Sequence, residues 1–242
     1  MMDRIAEASP RLTARMAGAC QLLEAITATF GQVIVLGRLV DSGNGAATAA
    51  NILGHERLFW VGFASSLLGV AFHIAWALLI YVLLKPVNRS ISLLAAFFVL
   101  VCCAMQALTS LLYLAPLLIL QGGSSWSGFT AEQLQSLALM FLKLNTYAFE
   151  IDLVFFGFWC ILTGYLIFRS TFLPRILGVL VAISGLGWVT YLYPPLAHHL
   201  GTFTVAASAL GEIPMELWLI VMGVNVQRWK EQASAAGASI RA

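Results

Sequence analysis

Apolar residues in this chain neither alternate nor recur at every third or fourth position. They run almost unbroken and stop at short polar stretches. A helix that crosses the ~30 Å hydrocarbon layer needs about 20 such residues. Runs of that length cover residues 13–36, 58–84, 90–120, 134–168, 173–193 and 202–225. The pattern therefore predicts an all-α, polytopic bundle of six transmembrane helices. Its punctuation agrees. Ser9 precedes Pro10 as a cap before a first-turn proline, and Lys85-Pro86 stops the second run because proline cannot continue a helix. Thr130 with Gln133 forms a capping box ahead of the fourth, and Pro194-Pro195 stops the fifth. Between the first two spans, Ser42-Gly43-Asn44-Gly45 is turn chemistry and Ala46 to Leu53 reads as a short external helix. Residues 1–12 are expected to form a cytoplasmic N-terminal segment. Residues 227–242, rich in Ala, Ser and Gly, are expected to form a disordered tail.

Composition changes the picture only by naming the solvent. Of 242 residues, 60% are hydrophobic and 10% charged, whereas a soluble domain carries roughly 25% charged residues to face water. Most of the outer surface is therefore expected to meet lipid. A net charge of +2, spread in ones and twos, leaves no stripe for nucleic acid. Arg4, Arg11, Arg15, Lys85, Arg89, Arg169, Arg175, Arg228, Lys230 and Arg241 all fall on one side of the bundle, and the opposite side holds Arg38 and Arg57. Retention of cations on the cytoplasmic side predicts an inner-membrane, multi-pass protein with both termini in the cytoplasm. The first run is too long for a signal-peptide core and is expected to remain as a span. Tyr147, Tyr191, Tyr193 and Trp126 suit the outer interface, and Tyr81 and Trp229 the inner. Cys20, Cys102, Cys103 and Cys160 lie within apolar runs and read as small buried hydrophobes rather than a disulfide or metal framework.

Ionisable side chains inside a span cost about 2.5–3.5 kcal/mol each on insertion scales, so their retention calls for a reason. Candidates are Glu24, His73, Lys143, Glu150, Asp152, Glu212 and Glu216, with neutral Gln106. At about 1.5 Å per residue, Glu24, His73, Gln106 and Glu216 share one depth slightly below mid-membrane. A polar stack facing inward is the simplest arrangement that satisfies them. Glu212 and Glu216 lie four apart on one helix face with Pro214 between them, which suits a proton relay, a general acid or a cation site. Lys143 and Glu150, seven apart, share a face. Asp152 points elsewhere, so one of the two acids should reach the outer headgroups. His73 reads as an interhelical hydrogen-bonding residue. His198, His199 and His55 in outer segments are weak metal candidates whose spacing matches no metal motif. No nucleophile elbow, phosphate loop or zinc-protease motif is present, and no cofactor is predicted. In-helix hydroxyls such as Ser65, Ser66, Thr109 and Thr163 are expected to bond to helix carbonyls.

The segments Arg15-Met-Ala-Gly18, Ala46-Ala-Thr-Ala-Ala-Asn51, Leu83-Leu-Lys-Pro-Val-Asn-Arg89, Leu153-Val-Phe-Phe-Gly157, Phe168-Arg-Ser-Thr-Phe-Leu-Pro-Arg-Ile-Leu-Gly178, Gly211-Glu212 and Gly223-Val-Asn225 together resemble the bacterial membrane proteins of the domain-of-unknown-function 4386 family. The resemblance runs from about Arg15 to Asn225. It implies a compact helical membrane bundle and no established activity, substrate or cofactor. It also implies an acid near Glu150 and at Glu212. At the positions of His73 and Lys143 it implies acids that this chain lacks.

Three functions fit these residues. The leading one is a ligand-binding or transport-related bundle whose acidic pocket, around Glu212, Glu216 and Glu24, handles protons, cations or a small amphiphile. An acid/base enzyme acting on a lipid or isoprenoid would need an aromatic-walled cavity at Glu212, for which Trp76, Trp159, Trp188 and Trp218 are candidate walls. An accessory subunit of a membrane complex would need neither.

Overall fold

A computed structural model describes residues 9–123 and 126–239. Regular structure among them is helical throughout: α1 (Pro10–Leu39), α2 (Gly45–Gly54), α3 (Glu56–Leu84), α4 (Arg89–Leu120), α5 (Ala131–Arg169), α6 (Arg175–Leu192), α7 (Pro194–Val221) and α8 (Val226–Ser239). All but α2 and α8 are long and apolar enough to span a membrane. The fold is thus an all-α, six-helix membrane-type bundle with a short helix between its first two spans. Arg4 and Arg241, counted above among the cations of one side, lie outside the described residues.

The helix starts follow from local chemistry. Ser9 Oγ accepts from the Leu12 N–H at 3.3 Å, and Asn44 Oδ1 accepts from the Ala47 N–H at 3.0 Å. The capping box ahead of α5 closes both ways: Thr130 N–H donates to Gln133 Oε1 at 2.9 Å, and Gln133 N–H donates to Thr130 Oγ1 at 3.3 Å. Asn88 Oδ1 takes the Ile91 N–H at 3.0 Å at the start of α4.

Elsewhere the structure departs from the sequence reading. Pro194-Pro195 starts α7 rather than ending the fifth span in a loop. Proline is tolerated in a first helical turn because its missing N–H would have had no partner there. The tail expected to be disordered carries α8. Gly223 adopts the left-handed conformation after α7, with φ +67°, and Asn225 Oδ1 then caps the Arg228 N–H at 3.1 Å. Trp229, expected at the inner interface, is instead buried, and its indole N–H donates to the Leu83 carbonyl at 2.9 Å. In α1, residues Thr29–Val35 form a π-helix. Thr163 makes no bond to a helix carbonyl; its buried hydroxyl has no hydrogen-bond partner.

The chain divides into two compact units. The first comprises Met1–Leu22, Phe72–Cys103 and Ile151–Ala242, and its core centres on Trp76, Trp159, Leu166 and Leu219. Close glycine contacts set its helix packing. On α5 and α6, Gly157 meets Gly185 and Gly164 meets Gly178, each where a Cβ would fall 2.5–2.9 Å from the opposing carbonyl oxygen. Small residues allow this approach, which dispersion favours where lipid supplies no hydrophobic drive between helices.

The second unit comprises Leu23–Ala71 and Ala104–Glu150, with Phe59, Tyr113, Leu117 and Ile52 in its core. There α2 is tied back to the end of α1. Thr48 Oγ1 donates to the Asp41 carbonyl and accepts the Asp41 N–H, both at 2.9 Å, and Asn51 Nδ2 donates to the Leu39 carbonyl at 3.2 Å. In each unit large apolar side chains remain exposed, among them Leu111, Leu186, Phe203 and Leu210. Such faces suit acyl chains as solvent.

Candidate functional site

The clearest site is built in the second unit around the π-helical stretch of α1. A π turn inserts one residue into a helix, and such insertions recur at functional positions. Here the stretch is held from two sides. The buried Tyr113 hydroxyl of α4 donates to the Gly31 carbonyl at 3.3 Å. Gly31 itself lies against Gly62 and Ser66 of α3, with no room for a Cβ. One turn earlier, the Thr27 carbonyl accepts from Ser65 Oγ at 2.9 Å.

Beside the stretch lies a cavity of about 350 Å³, walled by Gln32, Leu36, Leu142, Asn145, Thr146 and Phe149. A smaller space of about 30 Å³ shares Gln32 and Phe149 with it and is lined further by Glu24, Ser66, Gln106 and Ser110. Polar groups on the walls are fixed by their neighbours: Asn145 Nδ2 donates to the Thr109 carbonyl at 2.9 Å, and Ser110 Oγ donates to the Gln106 carbonyl at 2.9 Å. Two of the candidates drawn from the sequence, Glu24 and Gln106, therefore share a cavity. Gln32 and Phe149 line both spaces, and Asn145 and Thr146 line only the larger one. These side chains are uncharged, and nothing in the sequence sets a neutral amide in a span apart as sharply as a carboxylate.

In the first unit, Glu212 has a tighter setting. Its Oε1 accepts from Ser184 Oγ at 2.6 Å and from Trp188 Nε1 at 2.7 Å, both on α6. These lengths are at the short end for hydrogen bonds to a carboxyl group. Glu216, one turn on and buried, shares a hydrogen bond with Gln21. Gly18 packs against the Glu216 carbonyl and Ile220. Of the four tryptophans named as candidate walls at Glu212, Trp188 touches its carboxyl group. Trp76 and Trp159 lie at the centre of the core with ring centroids 4.3 Å apart and planes tilted by 51°.

The remaining candidates are placed as follows. His73 is buried beside Trp76, with ring centroids 5.1 Å apart. Asp152 is buried, and its carbonyl accepts from Cys102 Sγ at 3.7 Å. Glu150 is half-buried and Lys143 exposed. Neither Glu150 nor Asp152 is exposed, as one of them was expected to be. His198 and His199 sit exposed on the first turns of α7, not in a loop, and His55 is exposed after α2. Among the described residues no group of three His, Cys, Asp or Glu side chains could hold a metal.

A family profile, that of a domain of unknown function (DUF4386), matches residues 16–223. The chain belongs to the DUF4386 family. A protein of Archaeoglobus fulgidus described as uncharacterized is 27% identical over 153 residues, which make up 61% of this chain and 74% of that one. No solved structure matches.

The segments that carry the DUF4386 resemblance hold the first unit and the α2 region in shape. Arg15 Nη2 donates to the Val221 carbonyl at 3.1 Å. Asn51, Asn88 and Asn225 make the bonds given above. Thr171 N–H and Oγ1 both meet Gln232 Oε1 at 3.0 Å. Gly157 and Gly178 let helices touch. Within this set Glu212, held by two side-chain donors, is the residue whose chemistry goes beyond packing.

Proposed function

We propose that this DUF4386 protein is a multi-pass inner-membrane protein, cytoplasmic at both ends, that binds a small amphiphile with a cationic head in the Glu24 cleft as a ligand-binding or transport-related bundle. The observation that carries this reading is the cavity of about 350 Å³ beside a π-helical turn, adjoining the space where Glu24 and Gln106 stand. Its volume falls within the roughly 300–1,000 Å³ of small-molecule sites, and its make-up matches theirs: mostly apolar walls with a few fixed polar groups. One carboxyl group among neutral amides and hydroxyls selects a hydrogen-bond donor or cation over an anion. Phe149, Leu36 and Leu142 would cover an alkyl chain.

Two probes of equal chain length test the reading on purified protein in nanodiscs, with thermal unfolding as the readout. Octylamine should raise the unfolding temperature and 1-octanol should do so much less. Glu24→Gln should remove most of the difference. Equal shifts from amine and alcohol, or an amine response that survives Glu24→Gln, would overturn the reading.

A further inference from the structure

A second cavity, of about 340 Å³, lies in the first unit where the start of α1, the segment before α6, the end of α7 and the start of α8 meet. Its lining combines the apolar side chains of Phe172, Leu173, Trp218 and Met222 with two cationic residues, Arg11 and Arg228. Both guanidinium groups are fixed by the backbone: Arg11 Nε donates to the Met222 carbonyl at 3.3 Å, and Arg228 Nη1 donates to the Thr171 carbonyl at 3.4 Å. A guanidinium has five N–H donors in a planar fork, so one carbonyl contact orients each group and leaves the rest of the fork available. Two like charges on one cavity repel unless an anion lies between them, and a planar fork suits phosphate oxygens.

We propose that this cavity binds the phosphate of an anionic phospholipid, held between Arg11 and Arg228, with the first acyl carbons against Phe172 and Trp218. The apolar lining distinguishes the lipid from a free anion, which would use only the two arginines. The cavity belongs to the side of the chain on which Arg15, Arg169 and Arg175 also lie, the side read above as cytoplasmic. Basic pockets between spans on that side suit anionic headgroups. This site shares no lining residue with the Glu24 cleft, so either proposal can fail without the other.

The full chain in neutral detergent is offered dioctanoyl phosphatidylglycerol, dioctanoyl phosphatidylcholine or inorganic phosphate, and retained ligand is counted by native mass spectrometry. Phosphatidylglycerol should be retained in preference to phosphatidylcholine. Arg11→Gln with Arg228→Gln should weaken that retention roughly thirtyfold, about fivefold per charge. Met222→Trp keeps both charges and fills the cavity from a half-exposed position, so it should weaken retention even if the double variant folds poorly. Equal retention of the two lipids, or retention unchanged in Met222→Trp, would overturn the proposal. Inorganic phosphate that binds and displaces the lipid at equal concentration would assign the site to a free anion and overturn the lipid assignment.

Discussion

Alanine at Gly178 should destabilise the protein, whereas alanine at Gly201 should not, although both glycines are helical. A Cβ at Gly178 would meet the Gly164 oxygen at 2.5 Å and the Phe168 nitrogen at 2.6 Å, where ordinary contact begins at 3.4 Å. Both neighbours are backbone and cannot turn aside, so α5 and α6 would have to part by most of an ångström. Overpacking of this kind costs about 1–3 kcal/mol, and the helical preference for alanine over glycine returns only about 0.5–1 kcal/mol. A Cβ at Gly201 meets nothing within 4 Å, so that change keeps the propensity gain alone. For a chain of this size each kcal/mol moves the melting temperature by roughly 2–4 °C. Gly178→Ala should therefore melt several degrees below the wild type, and Gly201→Ala at or slightly above it, when unfolding is followed by circular dichroism in one detergent. Shifts of the same sign and size would refute the claim that glycine contacts set the α5–α6 spacing.

Three further outcomes are expected. Ser184→Ala and Trp188→Phe each remove one donor from Glu212, and each should cost about 1–3 kcal/mol in thermal unfolding; a neutral double variant would show that the carboxyl group needs neither donor. Asn225→Ala should cost about 1 kcal/mol as a lost helix cap, and should raise hydrogen exchange across Val226–Ser239 while leaving α4 and α5 unchanged. Cysteine introduced at Arg89 should resist a membrane-impermeant maleimide in intact cells, and one at Asn44 should react; the reverse pattern would invert the proposed orientation.

The spans were legible because their signal is length and apolarity, which need no knowledge of neighbours. Ser9, Asn44 and the Thr130–Gln133 box were legible because caps act through bonds within a few residues. What remained hidden depends on distant partners. A helix apolar on every side, such as α3, has no polar face to report which way it turns, so the sequence could align Glu24, His73, Gln106 and Glu216 by depth but not by direction. Glu24 and Gln106 line one cavity of the second unit; His73 and Glu216 belong to the first, His73 against Trp76 and Glu216 against Gln21. The π turn at Thr29–Val35 adds one residue to a helical pattern whose period is already blurred. Trp229 looked like an interfacial anchor until its indole found the Leu83 carbonyl, and with that contact an Ala- and Ser-rich tail became a docked helix.

The most direct test of the Glu24 cleft is where a bound amine lies. An alkylamine carrying a diazirine on its chain, photolysed with the protein in nanodiscs and mapped by peptide mass spectrometry, should mark residues 32–40 and 142–149, with labelling suppressed by excess octylamine and reduced by Glu24→Gln. Labels spread evenly over exposed positions such as Leu111, Leu186 and Phe203, or left unchanged by Glu24→Gln, would contradict the account.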